Sequence, residues 1–153
     1  MCALCIISGG QTGVDRGALD AALAAGVGCG GWCPAGRRAE DGPIPADYPL
    51  EETREADYLA RTRRNVEDSD ATLLIHSGDL EGGTALTLNI CRELGRPHLV
   101  VNAAAEPLVD AVDRLGAFIR EHGVQTLNVA GPRASKWPEA AETARDLVRR
   151  VLG

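Results

Sequence analysis

Apolar and polar positions alternate along this chain in blocks, and the period within the blocks changes between that of a strand and that of a helix. A short apolar run, Ala3-Leu4-Cys5-Ile6-Ile7, opens the chain and is followed by the glycine-rich turn Ser8-Gly9-Gly10-Gln11-Thr12-Gly13-Val14-Asp15-Arg16-Gly17. Residues 14–25 then place Leu19 and Leu23 at i, i+4 with Gly26 as a stop, which predicts the first helix. Residues 27–33 read as a glycine-loosened second strand ended by Pro34, and residues 35–49 as a long polar loop punctuated by proline. Loops of that length inside a compact domain are usually functional or disordered, and charge with proline favours an ordered binding loop.

The second half repeats the alternation. Asp57 is the expected N-cap of a helix reaching Val66, with Tyr58, Thr62 and Val66 on one side. Ala71-Thr72-Leu73-Leu74-Ile75-His76 is a continuous apolar run between turn signals, the mark of a buried strand. A second glycine-rich loop, residues 77–83, precedes a helix for which Thr84 is the expected cap and which carries Leu86, Ile90 and Leu94, closed by Gly95. Residues 98–101 and 124–130 read as strands on either side of a helix over 106–122 that carries Leu108, Val112, Leu115 and Ile119. A last helix carries Ala144, Leu147, Val148, Val151 and Leu152 on one stripe.

Five alternations of strand and helix predict one α/β domain over residues 1–153. The expected architecture is three-layered, doubly wound and Rossmann-like, with a five-stranded parallel sheet in the order 2-1-3-4-5 and right-handed crossovers. Ligands in such sheets sit beyond the carboxyl ends of the strands where the connections reverse direction. With that order, the two glycine-rich loops flank the reversal point. Glycine allows close backbone approach, and a helix amino terminus offers unpaired N–H groups and a positive dipole end. The expected occupant is an anion, most often a phosphate.

Composition narrows the partners. The 153 residues are 44% hydrophobic and 25% charged, with net charge −6, so no general nucleic-acid binder is expected. Local clusters, Arg37-Arg38, Arg61 to Arg64, and Arg133 with Lys136, can still form one positive pocket on an acidic body. No stretch approaches the roughly 20 apolar residues of a membrane span, and the amino terminus lacks a basic leader. Five cysteines, an odd number lying mostly in apolar runs, fit a reducing compartment, so the expected location is cytoplasmic. Cys2 and Cys5 show C-x-x-C spacing and Cys29 with Cys33 C-x3-C, yet strands would spread them along the sheet, so no metal site is expected.

The candidate anion contacts are Gly9, Gly10, Gln11, Thr12 and Gly13 of the first loop with Asp15 and Arg16 beside it, and Gly82, Gly83 and Thr84 of the second. Arg37, Arg38 and Arg133, with Ser135, supply guanidinium forks and a hydroxyl suited to an oxyanion. Arg61 and Arg64 flank the pocket or a subunit contact. Trp32 and Trp137 either stack on a flat heterocycle or pack under the loops. Cys33 and His76 end strands at the same rim, without an evident nucleophile–base partner in the sequence, so no catalytic residue is assigned. Val14-Asp15 stands where a Walker A loop has Lys-Ser/Thr, and no acid ends the second strand to hold a ribose, so neither P-loop ATP nor standard NAD binding is expected.

Several separated motifs together resemble the molybdenum cofactor carrier protein family. They are residues 8–17, Trp32-Cys33-Pro34-Ala35-Gly36-Arg37-Arg38 with Glu40-Asp41-Gly42, Tyr58 with Arg61-Thr62 and Asn65-Val66, Gly82-Gly83-Thr84, and residues 127–135. That family is similar in fold to the lysine-decarboxylase-like LOG proteins with their Rossmann-like core. The resemblance implies cytoplasmic binding of molybdenum cofactor (molybdopterin), a phosphorylated pterin, by a homo-oligomer, a tetramer or dimer. The LOG branch also contains nucleoside 5′-monophosphate phosphoribohydrolases, whose glycine motif is followed by a glutamate that works with an arginine. Here Ala85-Leu86-Thr87-Leu88 follows instead, which argues against hydrolase activity unless Glu81 or Asp79 substitutes.

Overall fold

The structure, a computed structural model, describes residues 4–153. Ala3 of the first apolar run and Cys2 of the C-x-x-C pair lie outside the described residues. In chain order come β1 (Cys5–Ile7), α1 (Val14–Ala25), β2 (Cys29–Gly30), β3 (Trp32–Cys33), β4 (Arg38–Ala39), β5 (Gly42–Pro43) and β6 (Glu51–Glu52). These are followed by α2 (Tyr58–Glu67), β7 (Ala71–His76), α3 (Gly82–Leu94), β8 (His98–Asn102), α4 (Leu108–His122), β9 (Thr126–Ala130) and α5 (Ala140–Leu152).

The expected α/β architecture is present: five parallel strands carry α1, α4 and α5 over one layer and α2 with α3 over the other. Local signals read from the sequence act as anticipated at several ends. Gly26, Gly95 and Gly123 close α1, α3 and α4 in the left-handed conformation, and the Asp57 carboxylate accepts from the Ala60 N–H at 2.8 Å. Thr84 does not cap α3. The helix begins at Gly82, so Thr84 lies buried inside its first turn.

The strand order differs from expectation. Numbering the five main strands along the chain, the sheet runs 2-1-5-3-4 rather than 2-1-3-4-5, because β9 inserts between β1 and β7. Packing and polar pairing both select that place. Leu127 and Val129 are fully enclosed, whereas His98, Leu99 and Val100 of β8 keep part of their surface, as suits an edge strand. Asn128 in mid-strand finds a buried partner in the Thr72 hydroxyl of β7 at 3.2 Å. The Asp70 carboxylate just before β7 accepts from the N–H groups of Gln125 and Thr126 at 3.0 and 2.9 Å, which sets the register. Counted with the last strand first, the order becomes 3-2-1-4-5, that of the doubly wound nucleotide-binding sheet.

The second strand is also shorter than the apolar run implies. Gly31 has φ 127°, and a Cβ there would lie 2.1 Å from the Ser8 carbonyl oxygen, so the chain turns out of the sheet after Gly30. Trp32–Cys33 then pairs with β6 in a small ribbon of its own. Within the polar loop, β4 and β5 form an antiparallel pair, so this segment is ordered.

α5 follows β9 back across the sheet and packs along α1 toward the end where β1 begins. The start of β1 and the end of α5 are therefore topological neighbours. A chain opened at Gly123 and joined end to end by a short Gly/Ser linker is expected to refold, with stability within about 1–2 kcal/mol of the parent. Cooperative unfolding with the parent's circular dichroism supports that topology; loss of a cooperative transition contradicts it.

Candidate functional site

A cavity of about 610 Å³ opens at the carboxyl ends of β1, β9 and β7. Its walls come from the first glycine loop and the start of α1, from α2, from the loop joining β7 to α3, and from residues 130–137 after β9. With the corrected strand order, the point where connections reverse direction lies between β9 and β7, and the cavity straddles it. Both glycine-rich loops reach the same end of the sheet.

The two loops are not equivalent. In the first, three backbone donors already have partners within the protein. Gly10 N–H donates to Ser8 Oγ at 3.3 Å, Gln11 N–H to Asp15 Oδ2 at 3.3 Å, and Thr12 N–H to Gln11 Oε1 at 3.0 Å. The amides of Gly10, Gln11 and Thr12 thus serve the loop itself, unlike those at the start of α3.

A carboxylate of the chain itself occupies the outer side of that loop. Glu40 accepts hydrogen bonds from the Thr12 hydroxyl, from Ser135 N–H at 3.1 Å and from Ser135 Oγ at 2.5 Å, and faces Arg133 Nε at 3.3 Å. Partial desolvation alone would raise its pKa; hydrogen bonds from Ser135 and Thr12 together with Arg133 outweigh it and hold the carboxyl below its ordinary value. Its own N–H donates to Gln11 Oε1 at 2.9 Å. Next to it, Asp41 takes both Arg16 Nη atoms at 2.6 and 2.8 Å. Glu40 and Asp41 thus buckle the 36–45 loop onto the first glycine loop.

Arg37 and Arg38 serve that loop. Arg37, in the left-handed region at φ 52°, donates to the carbonyl oxygens of Ile44, Pro45 and Tyr48 at 3.0, 2.7 and 2.9 Å. Arg38 reaches the Ala56 carbonyl at 3.2 Å. Neither lines the cavity, nor do Gly10, Thr12, Gly13, Arg16 or Ser135. Of the residues anticipated from the sequence, Gly9, Gln11, Asp15, Gly82, Gly83, Thr84 and Arg133 do line it.

At the α1 side of the cavity, Asp15 is almost fully enclosed and meets Arg61 Nη1 of α2 at 3.4 Å. The Arg61 guanidinium lies against Gly9, where a Cβ would come within 1.8 Å of Nη1, so a side chain there would displace Arg61. Burial pushes the Asp15 carboxyl up to about 6, against the opposing pull of Arg61, of the Gln11 and Gly9 N–H groups and of Arg16. Arg61 also stacks over Tyr58, 5.2 Å from the ring centre.

At the other side the polar groups are open. α3 has no side-chain cap, and among the described residues nothing accepts from the N–H groups of Gly82, Gly83 and Thr84. Below them His76, at the end of β7 and 6% exposed, has an Nδ1 atom without a hydrogen-bond partner. Lys136 and Arg133 stand on the facing loop, and Lys136 forms no ion pair among the described residues. Tyr58, Val129, Pro132 and Trp137 supply flat and apolar wall.

Sequence reasoning did not place Tyr58 or Asn128 in the site. Asn128 could be read only once β9 was known to be central, since a polar residue in mid-strand otherwise signals an exposed face. Tyr58 and Arg61 are brought in by α2, whose position depends on the turn at Gly31. Among the described residues no cluster of His, Cys, Asp or Glu is arranged to hold a metal ion, and no helix is long and apolar enough to cross a membrane.

Fold and site together define a circularly permuted Rossmann-type domain with a ligand-sized cavity at its switch point. The chain belongs to the circularly permutated YpsA SLOG family, whose pattern it matches over residues 6–152. It is also similar to the crystal structure of a protein named putative molybdenum carrier protein from Syntrophus aciditrophicus SB. The identity is 43%, the TM-score 0.97, and the match covers 99% of this chain and 96% of that one. No curated protein matches significantly.

Two outcomes test the site's polar framework. Asp15 has its folded pKa above the unfolded one, so it contributes stability that is fully present below about pH 4 and is lost as pH rises through about 6. From pH 4.5 to 7.5 the wild type is expected to lose about 1–2 kcal/mol through this group, and Asp15→Asn to lack that slope in urea unfolding. Replacing Glu40 by Gln weakens the charge-assisted bonds from Thr12, Ser135 and Arg133, with an expected loss of about 1 kcal/mol and faster proteolytic nicking in residues 36–45.

Proposed function

We propose that the protein binds and carries a phosphorylated heterocycle in the switch-point cavity, with molybdenum cofactor as the cargo. One observation carries the reading: the unpartnered first-turn amides of α3 stand at a cavity also lined by His76, whose buried Nδ1 has no hydrogen-bond partner. Amides at a helix start favour negative charge, and a buried polar atom without a partner costs free energy until a ligand supplies one. Phosphate would sit against Gly82, Gly83 and Thr84, with Lys136 and Arg133 adding charge. The flat ring would lie between Tyr58, Trp137 and the apolar wall at Val129 and Pro132. A volume of about 610 Å³ suits one ligand of mononucleotide size. The similarity to the protein named putative molybdenum carrier protein from Syntrophus aciditrophicus SB supports the choice of cargo, and the chain's own part is to bind, orient and shield it.

The same reading places the protein in the cytoplasm as a homo-oligomer, a dimer or tetramer. Leu59 on α2, 51% exposed on the thinly covered layer, is where a second copy would pack. Sedimentation at micromolar concentration decides between these states and a monomer.

A second reading is supported by Asp79 and Glu81, which line the cavity beside the α3 amides. A carboxylate there is positioned for nucleoside 5′-monophosphate hydrolysis. Release of free base from AMP, followed by chromatography, would establish it.

For the carrier reading, a pterin-fluorescence titration with molybdenum cofactor is expected to saturate. Lys136→Ala should weaken binding about 3–10-fold, the effect of one lost charge-assisted contact. A flat titration of the wild-type protein removes the proposal.

A further inference from the structure

The carrier reading leaves open how the cavity recognises the ring, and Asp15 offers the chemistry. We propose that Asp15 reads the edge of the heterocycle, selecting a 2-amino-4-oxopyrimidine edge, the group shared by guanine and pterin. This rests on the reading that phosphate binds at the start of α3.

The observation is a buried acid whose one cationic partner is held loosely and whose other donors are the backbone N–H groups of Gln11 and Gly9. Asp15 is 6% exposed and lines the cavity, yet its contacts are long: Gln11 N–H at 3.3 Å and one Arg61 nitrogen at 3.4 Å. The same protein shows what a well-matched carboxylate has. Asp41, half exposed, holds the Arg16 fork through two bonds of 2.6 and 2.8 Å. Burial penalises an unpaired charge more than exposure does, so the deeper carboxylate would be expected to have the better partners. It has the poorer ones, and the space beside it is cavity.

A guanidinium-like fork would complete it. The ring N–H and adjacent exocyclic amine of a 2-amino-4-oxopyrimidine present two parallel donors spaced like those of arginine, the geometry a carboxylate accepts bidentately. Adenine presents an acceptor nitrogen beside its amine, and hypoxanthine lacks the amine altogether. Distance along the sheet is also suitable. Asp15 stands beyond β1 and the α3 amides beyond β7, with β9 between, so the separation across the strands is two spacings, about 10 Å, to which the offset between the two helix layers adds. A phosphate and a base edge within one mononucleotide-sized ligand can span that gap.

The test pairs ligands that differ at this edge alone. Binding of GMP against IMP, and of pterin against its 2-oxo analogue lumazine, is measured by isothermal titration at pH 7.5 with inorganic phosphate as a third arm. The expected result is at least a tenfold preference for the 2-amino member of each pair in the wild type, falling below threefold in Asp15→Asn. Equal affinities within both pairs in the wild type overturn the proposal without any appeal to the variant, while leaving phosphate-dependent binding intact. A preference that survives unchanged in folded Asp15→Asn also overturns it. If neither GMP, pterin nor phosphate binds, the carrier reading fails first and this inference falls with it.

Discussion

The structure depends on β9 lying in the centre of the sheet. Its backbone pairs with β1 on one edge and β7 on the other, so the last strand in sequence joins the two halves formed by the rest of the chain. Three polar contacts keep it there: two from Asp70 at its entrance and the Thr72–Asn128 pair in its middle. Apolar burial alone would not settle the choice, because the segment before it, β8, is as apolar and yet lies at an edge. Buried polar groups must find partners, and only between β1 and β7 does Asn128 have the Thr72 hydroxyl.

That requirement explains which parts of the fold were legible. Helix ends at Gly26, Gly95 and Gly123 and the Asp57 cap are local events, each decided by one residue's conformational range or one side-chain acceptor, so the sequence pattern locates them. Strand identity was equally local. Strand order was not, since it follows from the pairing of Asn128 with Thr72 across 56 positions of chain. The break at Gly31 was hidden for a similar reason. An apolar run through Trp32 and Cys33 reads as one strand until the Ser8 carbonyl is placed against Gly31.

The site shows the same division between local motif and long-range partner. Two glycine-rich loops look alike in sequence, and each precedes a helix. Gln11 and Asp15 fold back onto the first loop and satisfy its amides, while Glu40, 28 residues from Thr12, covers its outer side. Three of the first loop's backbone donors therefore serve the fold. In the second, Asn102 Oδ1 takes the Gly78 N–H, while the amides of Gly82, Gly83 and Thr84 at the start of α3 stay open. Arg37 was a fair candidate for an oxyanion by residue type, yet three carbonyl oxygens of its own loop claim its guanidinium.

The charges at the cavity divide by how completely the protein answers them. Arg16, Arg37 and Glu40 sit in short, multiple bonds and hold loops in place. Asp15, His76 and Lys136 do not, and all three line the cavity. A folded chain tolerates few poorly matched polar groups, because each takes a share of a net stability of only about 5–15 kcal/mol. Two buried ones in one concave space, the acid Asp15 at one side and His76 at the other with the exposed cation Lys136, are complementary to a ligand that carries donors at one end and negative charge at the other. Groups left incomplete by the fold are the ones free to be completed by a ligand, and here they point to the ligand's polarity as well as its place.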